Sequence, residues 1–189
     1  GVSEITRYAR ISFLRQFLNF MNTLGIECYR IPMRYTKSIH CEFRPYIFSD
    51  EEICKLYDAA DSLHDWHHSM RRNDIYPVIV RLLSCTGIRI GELVTLKPDN
   101  IDIESGIIKV LNGKNGVSRY IPMSDSLRTY IEPYCKKHED DEWLFQSPIN
   151  DSHYDPGTIR HMFKKMCMEA HIYRSNGDVP NIHSLRHTF

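Results

Sequence analysis

The sequence carries no net charge, because 24 lysines and arginines are matched by 24 aspartates and glutamates. A surface that grips a polyanion by bulk attraction is therefore excluded, and any phosphate binding must come from local clusters. Long apolar runs are missing as well. No stretch reaches the ~20 consecutive apolar residues that span a bilayer. Gly1–Arg10 carries charge where a secretory signal needs an apolar run, so the protein is expected to be cytoplasmic and without a membrane partner. The six cysteines (Cys28, Cys41, Cys54, Cys85, Cys135 and Cys167) are widely spaced and form no C-x-x-C pair. That excludes the common zinc-knuckle and redox motifs and leaves the thiols as reduced packing residues. No internal repeat is found.

What remains is the composition of a soluble globular protein, 42% hydrophobic and 25% charged over 189 residues, enough for one domain or for one domain and part of a second. From Ser3 to Leu24, Phe13, Phe17, Phe20 and Leu24 form one stripe with Leu14, Leu18 and Met21 beside it, and Gly25 ends the pattern. This is a helix with a broad apolar face that needs partners beyond this chain, the expected C-terminal end (residues 1–26) of an incomplete helical domain. Residues 27–46 lose periodicity and contain Pro32 and Pro45, which predicts an extended linker. Up to Arg44 there are seven basic residues (Arg7, Arg10, Arg15, Arg30, Arg34, Lys37, Arg44) and three acidic ones (Glu4, Glu27, Glu42). Within that excess, Arg30, Arg34, Lys37 and Arg44 are the candidate contacts to a phosphate backbone, the alternative being an ordinary solvated face.

A second domain is expected over 47–189. Ser49-Asp50-Glu51-Glu52 is a capping box, with Phe48 and Ile53 placed to staple across it, and Ile53, Leu56, Tyr57, Ala60 and Leu63 follow at helical spacing. The polar stretch 65–73 predicts a loop. Val78–Cys85 predicts a buried helix stopped at Gly87, and Ile90–Leu96 a short one. Gly106–Val110 and Arg119–Ile121 flank Asn112-Gly113-Lys114-Asn115-Gly116, which predicts a β-hairpin with Lys114 near its tip. Asp125–Tyr134 predicts a helix, and Trp143–Phe145 a short strand or turn. Asp155-Pro156 opens a helix whose core face is Ile159, Met162, Phe163, Met166, Cys167 and Ala170. Ile182–Phe189 begins a final element. The fold class is mixed, mainly α with a small antiparallel β-sheet.

Three segments hold polar residues that packing explains poorly. In Thr86-Gly87-Ile88-Arg89-Ile90-Gly91-Glu92-Leu93, an arginine stands between two glycines at a helix start, a place suited to an anion. Lys114 lies in the hairpin turn. In His183-Ser184-Leu185-Arg186-His187, His183 and Arg186 are three apart and share one side of a helix. Singly, each has a plain reading: Arg89 paired structurally with Glu92, His183 as a satisfied core histidine, Lys114 as a solvated turn lysine. His64, His67 and His68 lack the partner spacing of a zinc site.

Together, T-G-x-R-x-x-E-L, a hairpin lysine and H-x-x-R resemble the catalytic domain of the tyrosine recombinases, the phage-integrase family, over most of residues 46–189. The resemblance implies a tyrosine-recombinase catalytic-domain fold preceded by a helix of a core-binding domain. It also implies site-specific cleavage and rejoining of double-stranded DNA through a 3′-phosphotyrosine, by a bacterial or phage-encoded enzyme acting as a homotetramer on paired sites. Arg89 and Arg186 would clamp the phosphate, since two guanidinium forks neutralise non-bridging oxygens bidentately. Lys114 would protonate the leaving 5′ oxygen and His183 would assist proton transfer or bond the phosphate. Glu92 would orient its neighbours. No cofactor or metal is implied. All eleven tyrosines precede His183, whereas the pattern puts the nucleophile after H-x-x-R, so the chain as given is expected to be truncated and inactive. A non-catalytic DNA-binding relative of the same fold is the alternative; a metal-dependent phosphodiesterase would need clustered carboxylates, which the motifs lack.

Overall fold

The computed structural model describes residues 3–33, 44–63, 72–111 and 117–189. The chain divides into two compact units, Gly1–Arg44 and Pro45–Phe189.

The first unit is dominated by α1 (Glu4–Thr23), whose N-terminus is capped by the Ser3 hydroxyl accepting the Thr6 amide. It stops where the stripe predicts, at Leu24 and Gly25, the glycine taking φ +81°. No residue of α1 is fully buried, and Phe13, Phe17, Phe20 and Leu24 are all exposed. The Asn22 side chain then holds the extended stretch after the helix. Its Oδ1 accepts the Cys28 amide and its Nδ2 donates to the Cys28 carbonyl, both at 3.1 Å.

The second unit begins with α2 (Asp50–Asp61), where both halves of the predicted capping box form: Glu52 N–H donates to Ser49 Oγ and Ser49 N–H to the Glu52 carboxylate. At its centre is α3 (Arg72–Thr86), with Ile75, Tyr76, Val78, Ile79, Val80, Leu82 and Leu83 buried nearly all round. It packs against α2, α5 and α7. At about 1.5–3 kcal/mol for each fully buried aliphatic side chain, this helix anchors the unit. It starts before Val78 because burial of Ile75 and Tyr76 outweighs the hydrogen bond that Pro77 removes. Arg72 and Asn73, expected in a loop, are therefore helical, while 64–71, including the three histidines, lie outside the described residues.

A short α4 (Ile90–Val94) leads through a 3₁₀ turn (Pro98–Asn100) into the sheet. Its strands β1 (Ile101–Asp102), β2 (Ile107–Val110) and β3 (Arg119–Pro122) run antiparallel in the order β1-β2-β3. Ile101, Ile108 and Ile121 pair across all three strands as one buried row, and the register puts Arg119 opposite Val110 at the hairpin end. β1, only two residues long, has no sequence signal of its own. Next come α5 (Asp125–Lys137), three residues longer than expected, and α6 (Pro156–Glu169), capped by Asp155 with the expected stripe buried. The last element is α7 (His183–Thr188).

The cysteines depart from expectation. Cys167 alone is fully buried among those described; Cys28 and Cys135 are half-buried, and Cys54 and Cys85 are exposed thiols. Burial pushes the Cys167 thiol up to about 12 and that of Cys135 up to about 11. Among the described residues, no helix is long and apolar enough to cross a membrane.

Candidate active site

The site assembles where α3 ends. Thr86 turns its hydroxyl back to the Leu82 carbonyl and also accepts the Ile88 amide at 3.3 Å. Gly87 takes φ +57°, which favours glycine, and a Cβ there would stand 2.7 Å from the exposed Phe189 ring, which would have to shift. Gly91 differs. It lies inside α4 with open space where a Cβ would go, so it is not the second punctuation mark that the sequence suggested.

Arg89 occupies the N-cap position of α4, with β-region backbone angles. Its amide donates to Glu92 Oε2 at 3.1 Å and its Nη1 to Oε1 at 3.0 Å. The same carboxylate receives Arg119 from β3: Nη1 to Oε1 at 3.0 Å and Nη2 to Oε2 at 2.7 Å. Four donors thus fill the roughly four acceptor positions a carboxylate offers. Hydrogen bonds from Arg119, then those from the Arg89 amide and guanidinium, outweigh desolvation and hold Glu92 down at about 2. An acid that strong is no proton donor near neutrality, so Glu92 orients and charge-balances two arginines. The structural pairing of Arg89 with Glu92 is real, yet 40% of the Arg89 side chain stays exposed. Arg119 is the residue sequence reasoning missed. Its one signal was its place at the mouth of the hairpin; its partner, 27 positions away, is invisible along the chain.

The second half of the site is α7. His183 begins it, its amide donating to Asn181 Oδ1 at 3.0 Å. Arg186 reaches back, and its Nη1 donates to the Gly87 carbonyl, two residues before Arg89. The His183 imidazole is held below the usual histidine range by desolvation first, then by the positive charges of Arg160, His187, Arg186 and Arg89. Arg160, on α6, is thus a further cation beside the site that no motif marked. A cavity of about 340 Å³ is lined by Arg186 and Arg119 together with Cys85, Thr86, Gly87, Tyr120, Ile121, Pro122 and Phe189. Arg89 and His183 are not among its lining residues.

Lys114 lies outside the described residues, as do Arg34 and Lys37. Arg30 and Arg44 are exposed. Among the described residues, no three His, Cys, Asp or Glu side chains are grouped to hold a metal ion.

Comparison with known proteins agrees with the motifs. The model of the phage integrase family matches residues 47–189. The tyrosine recombinase XerC of Staphylococcus carnosus is 32% identical over 136 residues, covering 72% of this chain and 44% of that protein. The tyrosine recombinase XerA of Pyrococcus furiosus is 31% identical over 150 residues, covering 77% and 46%. A crystal structure of XerA recombinase superposes with TM-score 0.62 at 27% identity, covering all of this chain and 61% of that one. For the fold alone, lambda integrase (residues 75–356) bound to DNA gives TM-score 0.67 at 22% identity, over 94% of this chain and 60% of that one. The chain spans about half the length of the curated relatives it matches. With the family match, the helical fold with its three-stranded sheet and the arginine motifs in agreement, the chain belongs to the phage integrase family of tyrosine recombinases.

Proposed function

We propose that these residues carry the phosphate-handling chemistry of a site-specific DNA recombinase, with 47–189 forming its catalytic domain, 27–46 a linker, and 1–26 belonging to a DNA-clamping helical domain. The single observation that carries this reading is the bond from Arg186 to the Gly87 carbonyl, which ties α7 to the segment bearing Arg89. Both cations also act on the His183 ring.

In-line attack by a tyrosine hydroxyl on a DNA phosphodiester moves negative charge onto the non-bridging oxygens. Arg89 and Arg186 neutralise it there, doing the electrostatic work a metal ion could otherwise do. Arg119 belongs to the same positive ensemble, with Glu92 offsetting one of its charges. His183, kept neutral near pH 7, can accept the tyrosine proton as the covalent 3′-phosphotyrosine forms. Lys114 donates a proton to the departing 5′ oxygen, and attack of a new 5′ hydroxyl reverses the step to rejoin strands. The partner is double-stranded DNA carrying recombination sites, bound by four copies of the protein. Lambda integrase and XerH, structural relatives whose crystals contain DNA, support that partner.

A suicide DNA substrate offered to the longest natural protein containing residues 1–189 tests the reading. It should trap a covalent protein–DNA adduct. Arg89→Ala or Arg186→Ala should lower its formation by about 10³-fold, the scale for removing a charge-stabilising donor, with site affinity largely kept. Equal loss of binding and cleavage would mean that the arginines only hold DNA, as in a non-catalytic relative.

A further inference from the structure

A helix of six residues such as α7 is far below the ~12 needed to persist in water alone, so anchors outside it decide where His183 and Arg186 stand. Leu185 and Ser184 are buried, and Arg186 is bonded to Gly87. A further anchor is Thr188. Its hydroxyl donates to the Ser184 carbonyl at 3.0 Å and accepts the backbone N–H of Phe48 at 2.9 Å, across 140 positions of chain. Phe48 is itself immobilised. It is buried, packs edge-on to Phe163 and Tyr46, and directly precedes the Ser49 cap of α2. Its amide lies outside α2's hydrogen-bond ladder, so the threonine oxygen is what satisfies a buried donor.

We propose that Thr188 is a positioning residue whose hydroxyl locks the helix carrying His183 and Arg186 to the extended segment at which the second unit begins. The lock acts at the C-terminal turn of α7, two residues beyond Arg186, where the Phe189 amide also closes onto the Leu185 carbonyl at 3.1 Å. Release of Phe48 lets that turn fray, and the guanidinium and imidazole lose their fixed separation from Arg89. A misplacement of about 1 Å at a reacting centre can cost about 10²-fold in rate. Valine has the shape of threonine but cannot accept the amide proton; serine can.

The structural consequence stands without DNA, and the catalytic consequence rests on the recombinase reading. In the whole chain, NMR follows two signals in Thr188→Val and Thr188→Ser: exchange of the Phe48 amide, and titration of the His183 ring among Arg160, His187, Arg186 and Arg89. Thr188→Val should speed exchange about tenfold, as expected for loss of a buried hydrogen bond. It should also raise the His183 midpoint as the ring gains solvent and leaves its cationic surroundings. Thr188→Ser should keep both at wild-type values. With a cleavable DNA substrate, Thr188→Val should slow cleavage at saturating DNA by about 10²-fold with little change in affinity, and serine should rescue it. If valine fails to fold, Thr188→Ala carries the same test. Unchanged exchange and titration in the valine or alanine variant, or equal damage by serine, would overturn the lock. Absence of cleavage by the wild type would instead overturn the recombinase reading and leave the NMR result standing.

Discussion

The two halves of the site are held by different physics. Around Arg89, a single carboxylate saturated by four donors binds α4 to β3, so position is set by charge. Around Arg186, a six-residue helix is held by buried Leu185 and by hydrogen bonds to two backbone groups distant in sequence, so position is set by packing and by main-chain geometry. The anchoring of the first responds to acid pH through its carboxylate, and the anchoring of the second to volume and backbone shape.

That contrast can be broken most sharply at Gly87, where the halves meet. Gly87→Ala should destabilise the protein by about 2–3 kcal/mol in urea denaturation, about 1–2 of it for a non-glycine residue at positive φ and at most about 1 for displacing the exposed Phe189 ring. Adding Phe189→Ala should return the packing part and leave the backbone part. Glu92→Gln comes next, at about 2 kcal/mol, on the scale of hydrogen bonds to a partly buried charge. Its pH dependence is the sharper test. Glu92 sits at about 2 in the folded protein against 4.5 normally, so its stabilisation is complete above pH 4.5. It declines as pH falls towards 2 and is gone below that; the glutamine variant should lack this slope.

His183 provides a weaker dependence in a different window. Its folded form binds a proton less readily than the unfolded one, so stability should fall as pH drops below about 6.5. His183→Gln should flatten that part of the curve, measured by thermal melts between pH 5 and 7.5. The smallest change is expected at Gly91, exposed in α4 with room for a side chain. Gly91→Ala should stabilise by about 0.5–1 kcal/mol through helix propensity alone. Destabilisation there would show that α4 is less free than its surroundings suggest.

Much of this could be read along the chain because the signals are local. The Ser49 capping box, the Asp155 cap with Pro156, the α6 stripe and the stop at Gly87 each depend on residues within four or five positions. T-G-x-R-x-x-E-L and H-x-x-R are local too, spanning eight and four residues. The misreadings have equally definite causes. A two-residue β1 is shorter than any period. Pro77 hid the first turn of α3, where tertiary burial overrode propensity. Gly91 looked like punctuation because a glycine's surroundings are not written beside it. Cys54 and Cys85 were assigned to packing on residue type, whereas exposure is decided by which face of a helix meets the core.

By itself, then, the sequence determined most of the elements and their caps and marked the two arginines and the histidine as candidates, since propensity, periodicity and capping act over a few residues. Tertiary structure alone decided that Arg119 shares Glu92 with Arg89, that Arg186 reaches the Gly87 carbonyl, and that Thr188 meets the Phe48 amide. Those partners are 27 to 140 positions apart. No local rule selects among distant donors until packing of α3 against α2, α5 and α7 has brought them within hydrogen-bond reach.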